Sequence, residues 1–284
     1  MEIKKMMVVG CGQMGYGIAQ VCATGGTDVY MYDISDEIVK KAIETIKKSV
    51  GTLVQKGKIK EDEAKAIERH LIPIKNYDEA KDVDFVIEAA VEDINVKKKI
   101  FKELDAMMPD NVILASCSSA LPITEITSGT KKPQRTIGTH FHHPPAIMKL
   151  VEVVIGYLTS QETVETVINF LTKVGKTPVP CKDYPGFVTS RVGIIMINES
   201  IKCLAEGVST AENIDKACVA GFNWPMGPLK LADLIGLDTC LYVLDDLAKK
   251  LGPGFLPSPL LRQMVLAGHL GVKTGKGFFD YSKK

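Results

Sequence analysis

The chain has 284 residues, enough for one large domain or two ordinary ones, and its 45% hydrophobic and 24% charged residues are typical of a globular protein. A formal net charge of +1 gives no overall reason to expect binding to nucleic acid or to a membrane surface. No apolar run approaches the roughly 18 to 20 residues needed to cross a bilayer. Seven cysteines without CxxC spacing favour reduced thiols, so we expect a cytoplasmic protein.

The first part of the chain alternates between predicted strands and predicted helices. The predicted strands are KMMVVG, DVYMYD, LIPI, VDFVIEAA, VILASCSS, TIGTHF, LVEVVIG and TPVPC. The helical patterns between them are MGYGIAQVCATGG, a Lys-rich region from Ile34 to about His70, VKKKIFKELDAMM and ETVETVINFLTKVG. This order predicts an α/β fold with a doubly wound, mostly parallel sheet.

The alternation stops near CKDYPGF, residues 181–187, and only helical patterns follow. The pattern FVTSRVGIIMINESIKCLAEG ends at Gly207, and STAENIDKACVAG begins with a Ser209/Thr210 cap. Three more helical stretches come after it. We therefore predict an α/β domain over residues 1–184 and an all-helical domain over residues 185–284.

A glycine motif lies between the first predicted strand and the first predicted helix. Its GxGxxG spacing suits a tight turn, a close backbone approach and close helix–strand packing, which together place a pyrophosphate at the helix N-terminus. The residues predicted to form this cofactor loop are Gly10, Gly12, Gln13, Met14 and Gly15. Asp33 ends the second strand, where its carboxylate can bind ribose hydroxyls and repel a 2′-phosphate. The pattern predicts a Rossmann-type domain that binds NAD, with a plain glycine turn beside an exposed acid as the alternative.

The stretch GTHFHHPP, residues 138–145, holds three of the chain's five histidines: His140, His142 and His143. A metal site needs three or four converging ligands and groups that support them. On a strand, His140 and His142 would point to one face and His143 to the other, and no cysteine pair or acidic cluster is near in sequence. We therefore expect no metal here. From the residues alone, His140 is either a proton-transfer group or a satisfied core histidine.

The order of seven motifs resembles the bacterial form of the L-3-hydroxyacyl-CoA dehydrogenase family, which includes 3-hydroxybutyryl-CoA dehydrogenases. The motifs are VVGCGQMGYGIA, VIEAAVED, LPITEI, MKLVEVV, PGFVTSR, NWPMGPLKLADLIGLD and TGKGFFDY. The resemblance covers the whole chain. It implies NAD-dependent interconversion of a (3S)-3-hydroxyacyl-CoA and its 3-ketoacyl-CoA. It also implies a Rossmann-type N-terminal domain, a helical C-terminal domain that dimerises, and an active site between them.

The resemblance makes His140 the acid/base and the glutamate of LVEVV, Glu152, its partner. Removing a hydride from a secondary alcohol also requires removing the hydroxyl proton, and an imidazole with a pKa near neutrality suits that task. Glu152 would bind the far ring nitrogen, fix the tautomer and stabilise the imidazolium.

Other roles are implied by position in the family motifs. Ser119 matches a serine that binds the reacting substrate oxygen, although SCSSALP also reads as a plain polar turn. Glu92 and Lys97 match a cofactor-side acid and lysine, with helix capping and a solvated charge as the alternative. In the Lys-rich arm, Lys56 and Lys58 would suit the phosphates of CoA, unless that face is only solvated.

Three positions depart from asparagines that are usual in the family. Where the family usually has SNTSS this chain has SCSSA, so Cys117 replaces an asparagine. Where it usually has HFFNP this chain has HFHHP, so His143 replaces an asparagine. Where it usually has GFVVNR this chain has GFVTSR, so Ser190 replaces the catalytic asparagine. Serine is shorter and offers one donor where the amide offers two. We interpret the three changes as a reshaped substrate and cofactor pocket, with independent drift as the alternative.

Three functions compete: an acyl-CoA dehydrogenase, a dehydrogenase of a polar hydroxy acid or aldehyde without CoA, and a binding or structural protein that has lost turnover. The motif MKLVEVV and the Lys-rich arm favour the first, and retention of Ser119, His140 and Glu152 disfavours the third. Apolar stretches such as VGIIMI and CLYVLDDLAKKL exceed what about 100 residues bury easily, so we expect a homodimer through the C-terminal helices.

The Asp33 carboxylate should make the enzyme prefer NADH to NADPH. The variant Asp33→Ala should bind NADH more weakly, because the acceptor for the ribose hydroxyls is lost. It should bind NADPH better, because the charge that repels a 2′-phosphate is also lost. Steady-state kcat/KM with each cofactor measures the change. A wild-type preference for NADPH of about tenfold, which corresponds to about 1.4 kcal/mol, would overturn the assignment.

Overall fold

The computed structural model describes residues 2–282, and these form two compact units, one ending at Tyr184 and the next beginning at Pro185. The first unit contains one eight-stranded sheet in the order β3-β2-β1-β4-β5-β6-β7-β8. The strands are β1 Lys5–Val9, β2 Asp28–Tyr32, β3 Leu71–Pro73, β4 Phe85–Glu88, β5 Ile113–Ser116, β6 Thr136–Phe141, β7 Leu150–Ile155 and β8 Thr177–Lys182. Every neighbouring pair is parallel except β6 and β7, which confirms the predicted mostly parallel α/β fold.

The helices of the first unit are α1 Gln13–Thr24, α2 Asp36–Gln55, α3 Glu61–Arg69, α4 Ile94–Met107, α5 Ile123–Ile126 and α6 Gln161–Lys173. The Lys-rich region that the sequence presented as one helical stretch is two helices. The turn after α2 contains Gly57 with φ +65°, a left-handed conformation that a helix cannot continue through and that glycine adopts at little cost.

The centre of the sheet explains where the glycine motif lies. Strands β4 and β5 are buried along their whole length, as expected for parallel strands covered on both faces. The strand order reverses at β1, which pairs with β2 on one side and with β4 on the other. Val9 and Glu88, the last residues of β1 and β4, are partners in the register. The crevice beyond these two carboxyl ends is the switch point at which such sheets bind ligands.

The antiparallel pair β6 and β7, farther along the sheet, positions the side chains of His140 and Glu152. Strand β6 is buried at all six positions, and β7 at four of its six. Their register places His140 directly opposite Glu152. Side chains that face each other in this way lie on the same side of the sheet, with their Cβ atoms about 4.5–5.5 Å apart.

The second unit is built from α7 Thr189–Ala205, α8 Ala211–Phe222, α9 Pro228–Ile235, α10 Leu237–Leu251 and α11 Pro259–Leu266. Its core is formed by apolar side chains that include Ile197, Ile201, Leu229, Leu244 and Leu261. No strand occurs among residues 185–282, although the tail makes two isolated antiparallel bridges. The all-helical prediction is confirmed.

The tail of the second unit is held by a buried carboxylate. Asp233, on α9, accepts hydrogen bonds from the backbone N–H groups of Phe278 (2.9 Å) and Phe279 (3.0 Å) and from the hydroxyl of Tyr281 (3.1 Å). The motif TGKGFFDY is therefore structural, because a buried carboxylate requires such partners. Across residues 2–282, the helices all fall short of the length and apolarity needed to span a membrane.

Candidate functional site

The glycine loop is pressed tightly against the ends of the neighbouring strands. Gly10 has φ +93°, and a Cβ atom there would approach the backbone of Ala89 and Ala90 to 2.8 Å. A Cβ atom on Gly15 would lie 1.7 Å from the carbonyl oxygen of Gly10. The backbone N–H of Gly10 donates to the carbonyl of Tyr32 at 2.9 Å. Only glycine fits at positions 10 and 15. The motif predicted a tight turn at the first and close helix–strand packing at the second.

Gly12 differs from these two glycines because an added Cβ would meet no atom within 4 Å. Helix α1 begins at the next residue and has no side-chain cap, so the N–H groups of its first turn lack acceptors within the helix. A pyrophosphate fits such a site because its charge is favoured at a helix N-terminus and no side chain stands in front of it. The residues present therefore suit a dinucleotide.

Two side chains border this loop. Asp33 accepts a hydrogen bond from the backbone N–H of Cys11 at 2.7 Å, which holds its carboxylate at the loop. Gln13 Nε2 lies 3.2 Å from His143 Nε2 and joins the loop to the segment that follows β6. Both Gln13 and His143 are exposed, whereas Met14 is half-buried and packs against the core.

A buried ion pair lies directly behind the loop at the end of β4. Glu88 is fully buried and accepts hydrogen bonds from Lys97 Nζ, Ser116 Oγ and the Ala90 backbone N–H, each at 2.7 Å. Lys97 is 1% exposed, so it is not a solvated surface charge. Sequence reasoning missed Glu88, although an acid at the end of the apolar run VIEAA was a usable signal.

Glu92 organises the turn that carries Ser119. One of its oxygens accepts hydrogen bonds from Ser118 Oγ (2.6 Å) and from the backbone N–H groups of Ser119 (2.9 Å) and Ala120 (3.1 Å). Burial by itself would raise the pKa of Glu92, but these bonds and the Lys97 charge lower it below its ordinary value. The carboxylate is therefore ionised at neutral pH and holds the turn in place.

His140 and Glu152 form the hydrogen bond that their register allows. His140 Nδ1 lies 2.8 Å from Glu152 Oε2, and the two side chains are 7% and 0% exposed. An ionised carboxylate can only accept, so Nδ1 carries the hydrogen in this bond. The other ring nitrogen, Nε2, is then the one suited to exchanging a proton with a substrate.

His142 adds a third polar side chain beside this pair. Its ring centroid lies 4.6 Å from that of His140, so the two rings share one side as the strand alternation predicted. Burial and the neighbouring His140 lower the pKa of His142, although the Glu152 charge acts in the opposite direction. Each of the three residues offers one ligand atom, and these atoms all lie within 4.8 Å of one another.

The loop after His143 is fixed by a lysine that sequence reasoning missed. Lys176 is buried and donates hydrogen bonds from Nζ to the carbonyl oxygens of Pro145 and Met148. Burial lowers the pKa of Lys176. Gly17 lies against the same loop, since a Cβ atom there would approach Pro145 Cδ to 2.8 Å. Nothing local in the sequence marks this lysine, because its acceptors are backbone atoms of a distant segment.

Of the remaining predicted residues, Cys117 lies at this edge of the sheet, where its backbone N–H donates to the carbonyl of Glu88 at 2.7 Å. Cys117 is buried in the hydrophobic core. Lys56 and Lys58 are exposed in the turn between α2 and α3, and Ser190 is half-buried on the first turn of α7 in the second unit. Their roles toward substrate stay predictions, as does the idea that Cys117, His143 and Ser190 line one pocket.

Comparison with known proteins shows which family combines these features. Residues 5–184 match the family model of the 3-hydroxyacyl-CoA dehydrogenase NAD binding domain, and residues 186–281 match that of the 3-hydroxyacyl-CoA dehydrogenase C-terminal domain. A probable 3-hydroxybutyryl-CoA dehydrogenase of Bacillus subtilis is 48% identical over 285 residues, which covers 100% of this chain and 99% of that protein.

Two more distant relatives also match this chain over nearly its full length. The crystal structure of (S)-3-hydroxybutyryl-CoA dehydrogenase from Ralstonia eutropha has a TM-score of 0.96 at 42% identity, covering 99% of this chain and 100% of that chain. The mitochondrial hydroxyacyl-coenzyme A dehydrogenase of Sus scrofa is 37% identical over 98% of this chain and 91% of its own length. The chain therefore belongs to the 3-hydroxyacyl-CoA dehydrogenase family.

Proposed function

We propose that the chain is an NAD-dependent dehydrogenase that interconverts a (3S)-3-hydroxyacyl-CoA and its 3-ketoacyl-CoA, with His140 as the acid/base. The observation that carries this proposal is the buried hydrogen bond between His140 and Glu152 in the same sheet that holds the dinucleotide loop. Family membership supports the acyl-CoA substrate and the NAD cofactor.

The proton chemistry follows from the geometry of the pair. NAD, when bound, supplies the hydride acceptor for alcohol oxidation. His140 Nε2 takes the hydroxyl proton, while Glu152 holds Nδ1–H and stabilises the imidazolium that forms. Because Glu152 is fully buried, its charge acts through a medium that screens it less than water does. In the reverse direction the imidazolium returns the proton to the carbonyl oxygen.

Ser119 is the candidate for binding the reacting oxygen. Its backbone N–H and those around it are held by Glu92, so the serine hydroxyl belongs to a turn of fixed shape. Glu92 in turn faces Lys97, whose ammonium is held by Glu88. Through this chain of contacts, we propose, the three charged residues act as positioning residues that fix the turn of Ser119.

The contacts to the two ends of the substrate are proposed from residue type. Lys56 and Lys58 are exposed cations that suit the phosphates of CoA. Ser190 replaces the usual asparagine and offers a hydroxyl to the reacting end of the substrate. A serine reaches less far than an asparagine and offers one donor where the amide offers two, so we expect this contact to hold the substrate less tightly.

A substrate panel tests the proposed function. The second candidate, a dehydrogenase of a polar keto acid without CoA, is favoured by Cys117, His143 and Ser190 at the usual asparagine positions. NADH oxidation should be measured with acetoacetyl-CoA, with longer 3-ketoacyl-CoAs and with free 3-keto acids. We expect turnover of the CoA thioesters. Turnover confined to free acids would replace the proposal with the second candidate.

We also propose that the protein is a homodimer through the helical unit. Large apolar side chains of this unit are strongly exposed, among them Phe222 (66%), Tyr242 (65%) and Leu266 (88%). Isolated exposed apolar residues are ordinary, but several on one small unit favour a protein interface. Light scattering at micromolar concentration should return twice the mass of one chain, and the mass of a single chain would contradict the proposal.

A cytoplasmic location fits the cysteines. All seven are free thiols in the structure, and burial raises the pKa of Cys11, Cys22 and Cys117 to about 12. Such thiols stay protonated at neutral pH and are poor nucleophiles. A chain that carries this many unpaired thiols suits a reducing compartment.

Replacing the acid/base should abolish most turnover while the cofactor still binds. His140→Ala should lower kcat by about 10²–10⁴-fold, the usual contribution of a general acid/base, with NADH affinity measured by fluorescence nearly unchanged. Glu152→Gln should cost less, because the amide oxygen still accepts from Nδ1–H but no longer stabilises the imidazolium. His70→Ala, which removes a histidine paired with Asp28, is the control and should keep full activity. Retention of more than about a tenth of wild-type turnover by His140→Ala would contradict the role.

A further inference from the structure

Three side chains that bind transition metals converge at the end of β6. His140, His142 and Glu152 each offer a ligand atom, and the three atoms lie within 4.8 Å of one another. Two of the residues are buried and His142 is half-buried. Two imidazoles and one carboxylate form the ligand set that zinc uses in sites with three protein ligands and an open fourth position.

The three ligand atoms lie within 4.8 Å of one another, so side-chain movements of about 1 Å would bring them to the spacing that a metal requires. With metal–ligand bonds of about 2.0–2.2 Å, two ligands of a tetrahedral ion are about 3.3–3.6 Å apart. His140 Nδ1 and Glu152 Oε2 are 2.8 Å apart, so they would separate by less than about 1 Å. His142 follows the last residue of β6, so its backbone is outside the paired strand.

We propose that His140, His142 and Glu152 form a binding site for a divalent zinc-class ion, and that occupancy of this site inhibits the enzyme. The ion would bind His140 Nδ1 and Glu152, and the hydrogen on Nδ1 would pass through solvent to Nε2, so that the ring stays a neutral imidazole and no net proton is released. With the metal on Nδ1 and the hydrogen on Nε2, the imidazole could not accept the hydroxyl proton of the substrate. The inhibition, but not the binding, rests on the proposed function.

His142 is the residue on which this site depends. His140 and Glu152 alone offer two ligands, whereas structural and catalytic zinc sites use at least three from the protein. A phenylalanine at this position would keep an aromatic ring but would offer no lone pair to a metal. Metal sensitivity should therefore be a property of this chain that one substitution removes, while the hydrogen bond between His140 and Glu152 stays in place.

Binding is measured directly with the metal alone. The full-length protein is titrated with Co²⁺, whose visible absorption reports tetrahedral coordination, and with Zn²⁺ in competition. Wild type should bind one equivalent, and His142→Phe should weaken that binding at least tenfold, since the loss even of a group behind a ligand costs about 10–100-fold. His70→Phe is the matched control because His70 also contacts a carboxylate, Asp28, at 2.7 Å, and it should bind like wild type.

Inhibition is measured in the acetoacetyl-CoA assay with NADH. Zn²⁺ should inhibit wild type and His70→Phe, EDTA should restore both, and His142→Phe should keep the basal rate while resisting Zn²⁺ at concentrations at least tenfold higher. Equal Co²⁺ affinity in wild type and His142→Phe, or a sulfur-to-cobalt charge-transfer band from one of the thiols, would overturn the site. Loss of Co²⁺ binding in His142→Phe without any wild-type turnover of acetoacetyl-CoA would support the site and count against the proposed function.

Discussion

The antiparallel pairing of β6 with β7 is the constraint on which the candidate site depends. It places a fully buried carboxylate, Glu152, opposite His140 in an otherwise apolar part of the sheet. A buried carboxylate requires hydrogen-bond partners, and the imidazole of His140 is one of them, so the pair contributes to the stability of the sheet. A slip of one residue in the register would turn Glu152 to the other face and separate the pair. The same pairing thus stabilises the fold and orients the residue that we propose as the acid/base.

The parallel strands concentrate the other polar groups at one edge. Because parallel strands all end on the same side, the loops after β1, β4 and β5 meet there, and with them the glycine loop, Glu88 and Ser119. Glu88 and Lys97 neutralise each other out of contact with water, and Ser116 and a backbone N–H satisfy the remaining acceptor positions. A polar network in a low-dielectric environment is rigid when every member is satisfied. Rigidity of this edge is what a site for a dinucleotide and a small reacting group requires.

Helix α9 of the helical unit is also held by buried carboxylates. Asp215 accepts hydrogen bonds from the backbone N–H groups of Leu229 (2.8 Å) and Lys230 (3.0 Å), in the first turn of α9. Asp233, near the other end of α9, holds the tail through Phe278 and Phe279. Two buried acids thus fix the position of α9 and of the tail that packs on it. This structural role accounts for the motif NWPMGPLKLADLIGLD, which contains α9.

The chain's own pattern determined the elements and the cofactor loop. Short apolar runs alternating with amphipathic stretches predicted the strands and the α/β class, and the glycine spacing predicted a dinucleotide turn, because both depend on neighbours within a few residues. The resemblance to a family added His140, Glu152 and Ser119. The local pattern predicted one continuous helical stretch in the Lys-rich region, whereas a turn at Gly57 separates α2 from α3.

Only the tertiary structure decided which polar groups meet. The close approach of the His142 and His140 rings depends on how the chain leaves β6. The hydrogen bond between His140 and Glu152 depends on the pairing of two strands that brings together residues 12 positions apart in the chain. Lys176 reaches carbonyl oxygens 31 and 28 residues before it, and Glu92 holds a turn that lies 27 residues after it. Sequence periodicity reports which face of an element is buried, but the partner of a buried charge is chosen by packing between elements that are distant along the chain.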